Sequence, residues 1–237
     1  MKISGKQLAV ILLNDLKQKV LKLKQKNVIP HLSVILVGDN PDSIAYIRQK
    51  QKAVDFVGGQ LKLYHLKVST TESEVEKLLN NLSFDPKVHA IILQRPTPKH
   101  INSTKLCLII PSVKDVDGFG DKSPYTAPIS IAVMKVLKEI YYFYKNKQKS
   151  PKEDFPEKLI NWLQTRNILI IGRGQTAGSP IAKMFDEHTI LHTVVHSKTK
   201  NINNLYKQAD IIISCTGKAN SVRPEQIKPG AIIIGVG

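Results

Sequence analysis

The chain has 237 residues, enough for one large domain or two modest ones, and 42% of them are apolar. Two widely separated cysteines, Cys107 and Cys215, offer neither a disulfide framework nor metal-ligand spacing, and no apolar run approaches membrane-spanning length. The balance of 35 basic against 19 acidic residues, +16 net, favours an anionic partner: nucleic acid, a phosphorylated cofactor or a polyacidic small molecule.

Residues 6–26 carry Leu8, Leu12, Leu16, Val20 and Leu23 at steps of three and four, the pattern of an amphipathic helix. Its apolar start is followed at once by Asn14 and Asp15, unlike a cleavable signal peptide, and the two distant cysteines lead to the expectation of a reduced, cytoplasmic protein. Lys17, Lys19, Lys22, Lys24 and Lys26 lie dispersed along it, as on a solvated face. With no RNA-binding aromatic signature and no zinc-finger spacing, nucleic acid is the less favoured partner.

Residues 32–37 form an apolar, β-branched run that suits a buried strand. The run continues as V-G-D-N-P-D-S-I-A-Y-I-R-Q-K over 37–50: strand end, turn and helix start, with Asp42 or Ser43 as the expected cap. On that helix Tyr46 and Lys50 share a face. A phenol beside an ammonium, just past the carboxyl end of a strand, is where open α/β sheets place their chemistry. The bland alternative is a solvated helix face. Gly58 and Gly59 stop the helix, 61–68 reads as a strand, and 70–82 opens with Thr71, Glu72 and Glu74 as a capped helix. Residues 90–93 form another buried strand, ending at Gln94. The alternation predicts a mostly parallel sheet covered by helices.

Asp115 and Asp117 then stand two residues apart before Gly118 and Phe119. Substrate hydrogen bonding is their functional reading, preferred to a metal site, which needs more oxygen ligands. An ordinary Asp-Gly turn is the alternative. A long apolar helix is expected over 128–145, and 145–157, rich in Lys, Pro and acids, as an exposed connector.

Beyond the connector a buried strand runs into Gly172, Arg173, Gly174, Ala177 and Gly178. Gly172, Gly174 and Ala177 fit G-x-G-x-x-G/A in the strand–turn–helix context that dinucleotide binding demands. The next strand, 193–196, ends not in a ribose-binding acid but in Ser197, Lys198, Thr199 and Lys200. Hydroxyls and cations, with Arg173 in the turn, suit a 2′-phosphate and therefore NADP. A lysine-rich surface turn is the alternative. Strands follow at 210–215, leading to Thr216, and at 231–237.

These residues together resemble the bifunctional methylenetetrahydrofolate dehydrogenase/methenyltetrahydrofolate cyclohydrolase family. The stretch 37–50 is similar to its V-G-D-x-P-x-S-x-x-Y-x-x-x-K. Residues 93–98 resemble V-Q-L-P-L-P, and 114–119 match K-D-V-D-G-F. Residues 171–180 resemble I-G-R-S-x-x-V-G-x-P, and 196–199 match H-S-x-T. The resemblance implies a two-domain α/β chain. Residues 1–127 would be a folate-binding catalytic domain with a mostly parallel sheet. Residues 128–237, including a linking helix at about 128–145, would be a Rossmann-like NADP-binding domain.

It further implies NADP-dependent oxidation of methylenetetrahydrofolate and hydrolysis of the product to formyltetrahydrofolate. That is a multifunctional enzyme of one-carbon metabolism and purine biosynthesis, and a homodimer. Lys50 would be the catalytic lysine, Tyr46 would orient the folate and Gln94 would tune Lys50. Leu93, Asp115 and Asp117 would join them in holding the substrate. Gly172, Arg173, Gly174, Ala177, Gly178, Ser197 and Thr216 would hold NADP, and no metal is expected.

The chain departs from the family pattern in four places. The loop after Phe119 is shorter, with Tyr125 where the pattern has Cys. Gly174 replaces a Ser, and Gly235 stands where V-I-D-V-G has Asp. The sequence stops before the family's P-V-P-G-G-V-G-P-M-T loop and last helix. Two alternatives stay open: a degenerate, catalytically weak folate- or NADP-binding homologue, and a polyanion binder.

Overall fold

The structure, a computed structural model, describes residues 2–120, 122–145, 155–218 and 220–236. The chain divides into two compact units, Met1–Thr126 and Ala127–Gly237. Each is α/β with a parallel sheet.

The first unit opens with α1 (Gly5–Lys24), capped by Ser4, whose hydroxyl accepts from the Gln7 amide. Of the five apolar positions expected to face a core, only Val20 is buried; Leu12, Leu16 and Leu23 are exposed. The helix packs against α2 (Pro41–Val57). Between the two in sequence comes β1 (His31–Val37), buried from Ser33 onward. It pairs in parallel with β2 (Gln60–Leu66) on one side and β3 (Ala90–Leu93) on the other. β2 ends two residues earlier than its apolar pattern, because Leu66 is the last residue in register with Val37.

Helix α3 (Glu72–Phe84) has the capping box its sequence announces. The Glu74 amide donates to Thr71 Oγ1, and Glu74 Oε2 accepts from the Thr71 amide. Val75, Leu79 and Leu82, at steps of four and three, go into a core with Ile35, Val37, Ile91 and Leu93. That core is closed by Leu106 and Cys107 of α4 (Ser103–Cys107), a helix too short for periodicity to reveal. Lys114, at the end of a 3-10 turn (Ser112–Lys114), reaches back to the C-terminus of α3. Its ammonium donates to the carbonyls of Leu82, Ser83 and Asp85 at 3.3, 2.8 and 2.7 Å. A cation there satisfies the carbonyls a helix end leaves free.

The second unit begins with α5 (Pro128–Tyr144), whose buried face of Val133, Met134, Leu137 and Tyr141 belongs to that unit's core. Most of the expected connector lies outside the described residues. Its last residue, Glu157, opens α6 (Glu157–Gln164), which buries Leu159 and Leu163 against the same core. The sheet has the order β5-β4-β6-β7, all parallel: β4 (Ile168–Ile171), β5 (His192–Val195), β6 (Ile211–Ser214) and β7 (Ile232–Gly235). Helix α7 (Gly178–Glu187) connects β4 to β5 and α8 (Ile202–Gln208) connects β5 to β6, while a 3-10 turn (Pro224–Gln226) lies between β6 and β7. β5 runs one residue earlier than its sequence pattern, since His192 pairs with Ile168 and the chain turns at His196.

In each sheet the first strand in sequence, β1 or β4, is flanked on both sides by later strands. The crossovers therefore leave in opposite directions and open a crevice at the carboxyl end of that strand. This is the switch point where open α/β sheets bind ligands.

Candidate functional site

In the first unit the switch point lies beyond Val37 and Leu93. Gly38 turns the chain out of β1 at φ +80°, and Asn40 starts α2 by accepting from the Ser43 amide at 2.9 Å. The cap is thus Asn40 rather than Asp42 or Ser43. Pro41 occupies the first helical position, where a missing N–H costs nothing, so the cap must precede it. Ser43 is freed for another task. It is 2% exposed, and its hydroxyl donates to the Arg95 carbonyl at 3.3 Å, tying the helix start to the segment after β3.

One turn along α2, the Lys50 ammonium lies over the Tyr46 ring, 4.9 Å from its centroid. It donates to Gln94 Oε1 at 3.0 Å. Gln94 is buried, and its own amide nitrogen donates to the Arg95 carbonyl at 2.9 Å, which leaves Oε1 facing the lysine. Lys50 is thereby held by an acceptor that carries no charge. Burial pushes its pKa below the usual lysine value, and the Asp117 charge opposes that shift only in part. A lysine in this condition gives up its proton more readily than an exposed one.

The two aspartates differ sharply. Asp115 is 2% exposed, and its carboxylate accepts from the amides of Gly118 at 3.2 Å and Gly120 at 2.7 Å. Its backbone bridges to Ile91, so its side chain folds the loop around itself. Asp117 faces the Lys50 ammonium electrostatically. Burial raises its pKa, Lys50 and Arg95 lower it, and Asp115 raises it. Leu93 is 2% exposed and packs in the core with Ile35 and Val75. The structure therefore brings together Tyr46, Lys50, Gln94 and Asp117, and places Asp115 and the Leu93 side chain behind them.

In the second unit, Gly172, Ser197 and Thr216 follow the carboxyl ends of the adjacent strands β4, β5 and β6. Gly172 has φ +103°, and a Cβ there would meet the Cys215 carbonyl at 2.9 Å. A Cβ at Gly178 would overlap the Gly172 carbonyl outright. The position that must lack a side chain for the helix to approach the strand is thus Gly178, one residue past Ala177 of the sequence motif. At Gly174, by contrast, a Cβ would meet nothing within 4 Å.

The turn is pinned from inside. The Ser179 amide donates to the Gly174 carbonyl at 3.1 Å, and its hydroxyl donates to the Arg173 carbonyl at 3.0 Å. Arg173 and Ser197 are exposed. The 196–199 turn is closed by the His196 amide donating to Thr199 Oγ1 at 2.9 Å. Thr216 lies 3.4 Å from the Ser214 hydroxyl. A glycine turn opening a ten-residue helix, with exposed hydroxyl and guanidinium groups nearby, fits a dinucleotide pyrophosphate and its ribose phosphate.

Sequence reasoning reads Ser43 only as a possible cap and gives Arg95 and Lys114 no role of their own. Ser43 and Lys114 act through partners at least 29 residues away, and the Arg95 side chain through Ser103 and Cys107 across a turn, so local pattern carries no sign of them.

Comparison with known proteins agrees with this geometry. The model of the Tetrahydrofolate dehydrogenase/cyclohydrolase catalytic domain matches residues 3–117, and that of the same family's NAD(P)-binding domain matches 157–237. The Bifunctional protein FolD of Halalkalibacterium halodurans is 34% identical over 243 residues, spanning 99% of this chain and 81% of the relative. FolD 2 of Desulfitobacterium hafniense is 31% identical over 237 residues, spanning 99% and 79%. The crystal structure of the bifunctional enzyme FolD from Campylobacter jejuni superposes with a TM-score of 0.83 at 33% identity, over 97% of this chain and 78% of that one. The chain belongs to the tetrahydrofolate dehydrogenase/cyclohydrolase family.

Proposed function

We propose that the chain oxidises methylenetetrahydrofolate with NADP and hydrolyses the resulting methenyltetrahydrofolate to formyltetrahydrofolate. The observation that carries this reading is the Lys50–Gln94 hydrogen bond beside Asp117, at a switch point of a family member. Residues 1–127 would hold the folate and residues 128–237 the dinucleotide.

NADP, when bound, accepts the hydride removed from the methylene carbon. The residues of the first unit supply the rest. Asp117 would accept hydrogen bonds from the nitrogen edge of the pterin and fix its orientation, since oxidation needs mainly positioning. Tyr46 would present its exposed ring as an apolar surface to the folate. In hydrolysis, the neutral Lys50 amine would take a proton from the attacking water. Gln94 would keep that amine aimed and, being neutral, would leave its lowered proton affinity in place. Arg173 and Ser197 would receive the 2′-phosphate through a guanidinium and a hydroxyl. Gly172, Gly174, Ala177 and Gly178 would present backbone amides to the pyrophosphate, with Thr216 beside them.

We further propose a cytoplasmic homodimer joined through the dinucleotide unit. β5 lies at the edge of its sheet, and Leu191, just before it, is 74% exposed. Among the described residues no helix is long and apolar enough to cross a membrane.

The test is NADPH formation from methylenetetrahydrofolate by the purified chain, run in parallel with NAD. Turnover at least tenfold faster with NADP supports the reading, and Arg173→Ala together with Ser197→Ala should erase that preference by about tenfold. Equal or better turnover with NAD would overturn the cofactor assignment. Light scattering at the mass of one chain would overturn the dimer.

A further inference from the structure

The segment after β3 carries a residue with no part in the reading above. Arg95 follows Gln94, at a position where the family stretch V-Q-L-P-L-P has Leu. Its guanidinium stacks over the Phe119 ring, 4.0 Å from the centroid. The same group donates to the Ser103 carbonyl at 3.4 Å and to Cys107 Sγ at 3.3 Å. Its carbonyl is the acceptor shared by Ser43 and Gln94. One residue thus joins α2, the end of β3, α4 and the 117–119 loop.

We propose that Arg95 is a positioning residue, clamping the Asp117–Phe119 loop against α4 and supplying a second cation to Asp117. This rests on Asp117 being a substrate-holding group. The physical need is evident. The loop after Phe119 is shorter than the family pattern, so it has less of its own chain to pack upon. A guanidinium over an aromatic face, partly withdrawn from water, is a strong local anchor.

The electrostatic part follows from which groups face Asp117. Lys50 and Arg95 favour its ionised form, while burial and Asp115 oppose it. Tyr46 on α2 and Cys107 on α4 are the titratable groups that feel the Asp117 charge in turn. With Arg95 removed, Lys50 alone would work against burial and Asp115, and the carboxyl would hold its proton to higher pH. A protonated Asp117 no longer accepts from two donors, so folate binding weakens on the acid side first.

The test uses the whole chain and two variants, Arg95→Leu and Arg95→Lys. Carbon-13 NMR of the Asp carboxyls, with the Asp117 signal assigned from Asp117→Asn, reads the titration without requiring activity. Thiol labelling, resolved by peptide mass spectrometry so that Cys215 is counted separately, reads the clamp at Cys107. Arg95→Leu should move the Asp117 midpoint to higher pH and, once rates are corrected for the thiolate fraction that the lost Arg95 hydrogen bond reduces, speed Cys107 labelling by about fivefold, the factor one cation–π contact represents. Arg95→Lys should restore the midpoint and leave labelling fast. In activity, Arg95→Leu should raise KM for the folate at acid pH more than it lowers kcat.

An unmoved midpoint with unchanged labelling in Arg95→Leu overturns the inference. A wild type that folds and titrates as described but turns over no folate would instead overturn the proposed function, and the two variants would still decide the clamp.

Discussion

Lys50 and Asp117 draw each other toward the charged form, and in each of them burial wins. The lysine sits below its ordinary proton affinity and the aspartate above its own. A direct, close salt bridge would have produced the opposite pattern. Lys50 is hydrogen-bonded instead to the uncharged Gln94 at 3.0 Å. The arrangement suits a site that must trade protons, and its cost appears as lost stability.

That cost gives a first prediction. Asp117 is raised above its ordinary value of 3.8. A group raised on folding contributes stability that is fully present below the unfolded value and is lost as pH rises through the folded one. Asp117→Asn has no such loss. Its melting temperature should therefore gain on the wild type as pH rises from about 4 toward neutrality, and folate affinity should fall about 100-fold. Calorimetry across that range, with folate titrations at neutral pH, checks both. A variant that loses stability at neutral pH would show that Asp117 holds the fold.

A second prediction concerns the dinucleotide cradle. Gly178→Ala places a methyl group where the Gly172 carbonyl stands, so the helix must back away from the strand. Stability should fall by about 2 kcal/mol or more, and NADP binding should be lost with it. Gly174→Ser enters open space and should leave stability within about 0.5 kcal/mol. Denaturant melts of the two variants, side by side, read the contrast. Similar losses in both would mean that the close approach lies elsewhere.

A third prediction separates scaffold from site. Lys114 belongs to the K-D-V-D-G-F stretch, yet its ammonium is spent on three carbonyls at the end of α3. Lys114→Met should cost about 2 kcal/mol. At a temperature where the variant is still folded, kcat should change less than threefold. A large fall in kcat at unchanged stability would give Lys114 a direct part in the chemistry.

Much of this was legible in the sequence. The buried runs at β1, β3 and β4 are β-branched and bounded by glycine or proline, and the crossover pattern required parallel sheets. Tyr46 and Lys50 were visible as an i, i+4 pair, and Thr71 with Glu74 as a capping box. What escaped was whatever depends on a distant partner. Asp115 looks like Asp117 in sequence, and only the loop amides of Gly118 and Gly120 tell them apart. Ser43 looks like a cap because nothing local reveals the Arg95 carbonyl. Gly178 looked secondary to Ala177 because the motif counts residues, whereas the helix approaches the strand at one carbonyl. Helices α4, α6 and α8 span five, eight and seven residues, too few for a period to declare itself.

The most direct test of the account follows methenyltetrahydrofolate absorbance during NADP-dependent oxidation, in the wild type and in Lys50→Met. The wild type should form NADPH while methenyltetrahydrofolate stays low, if Lys50 acts in its hydrolysis as proposed. Lys50→Met should fold normally and let it accumulate, with hydrolysis reduced by about 100-fold or more. Two results would contradict the account. Equal accumulation in both proteins would remove Lys50 from the hydrolysis. A folded wild type that NADP stabilises, but that forms no NADPH, would leave a binding protein in place of an enzyme.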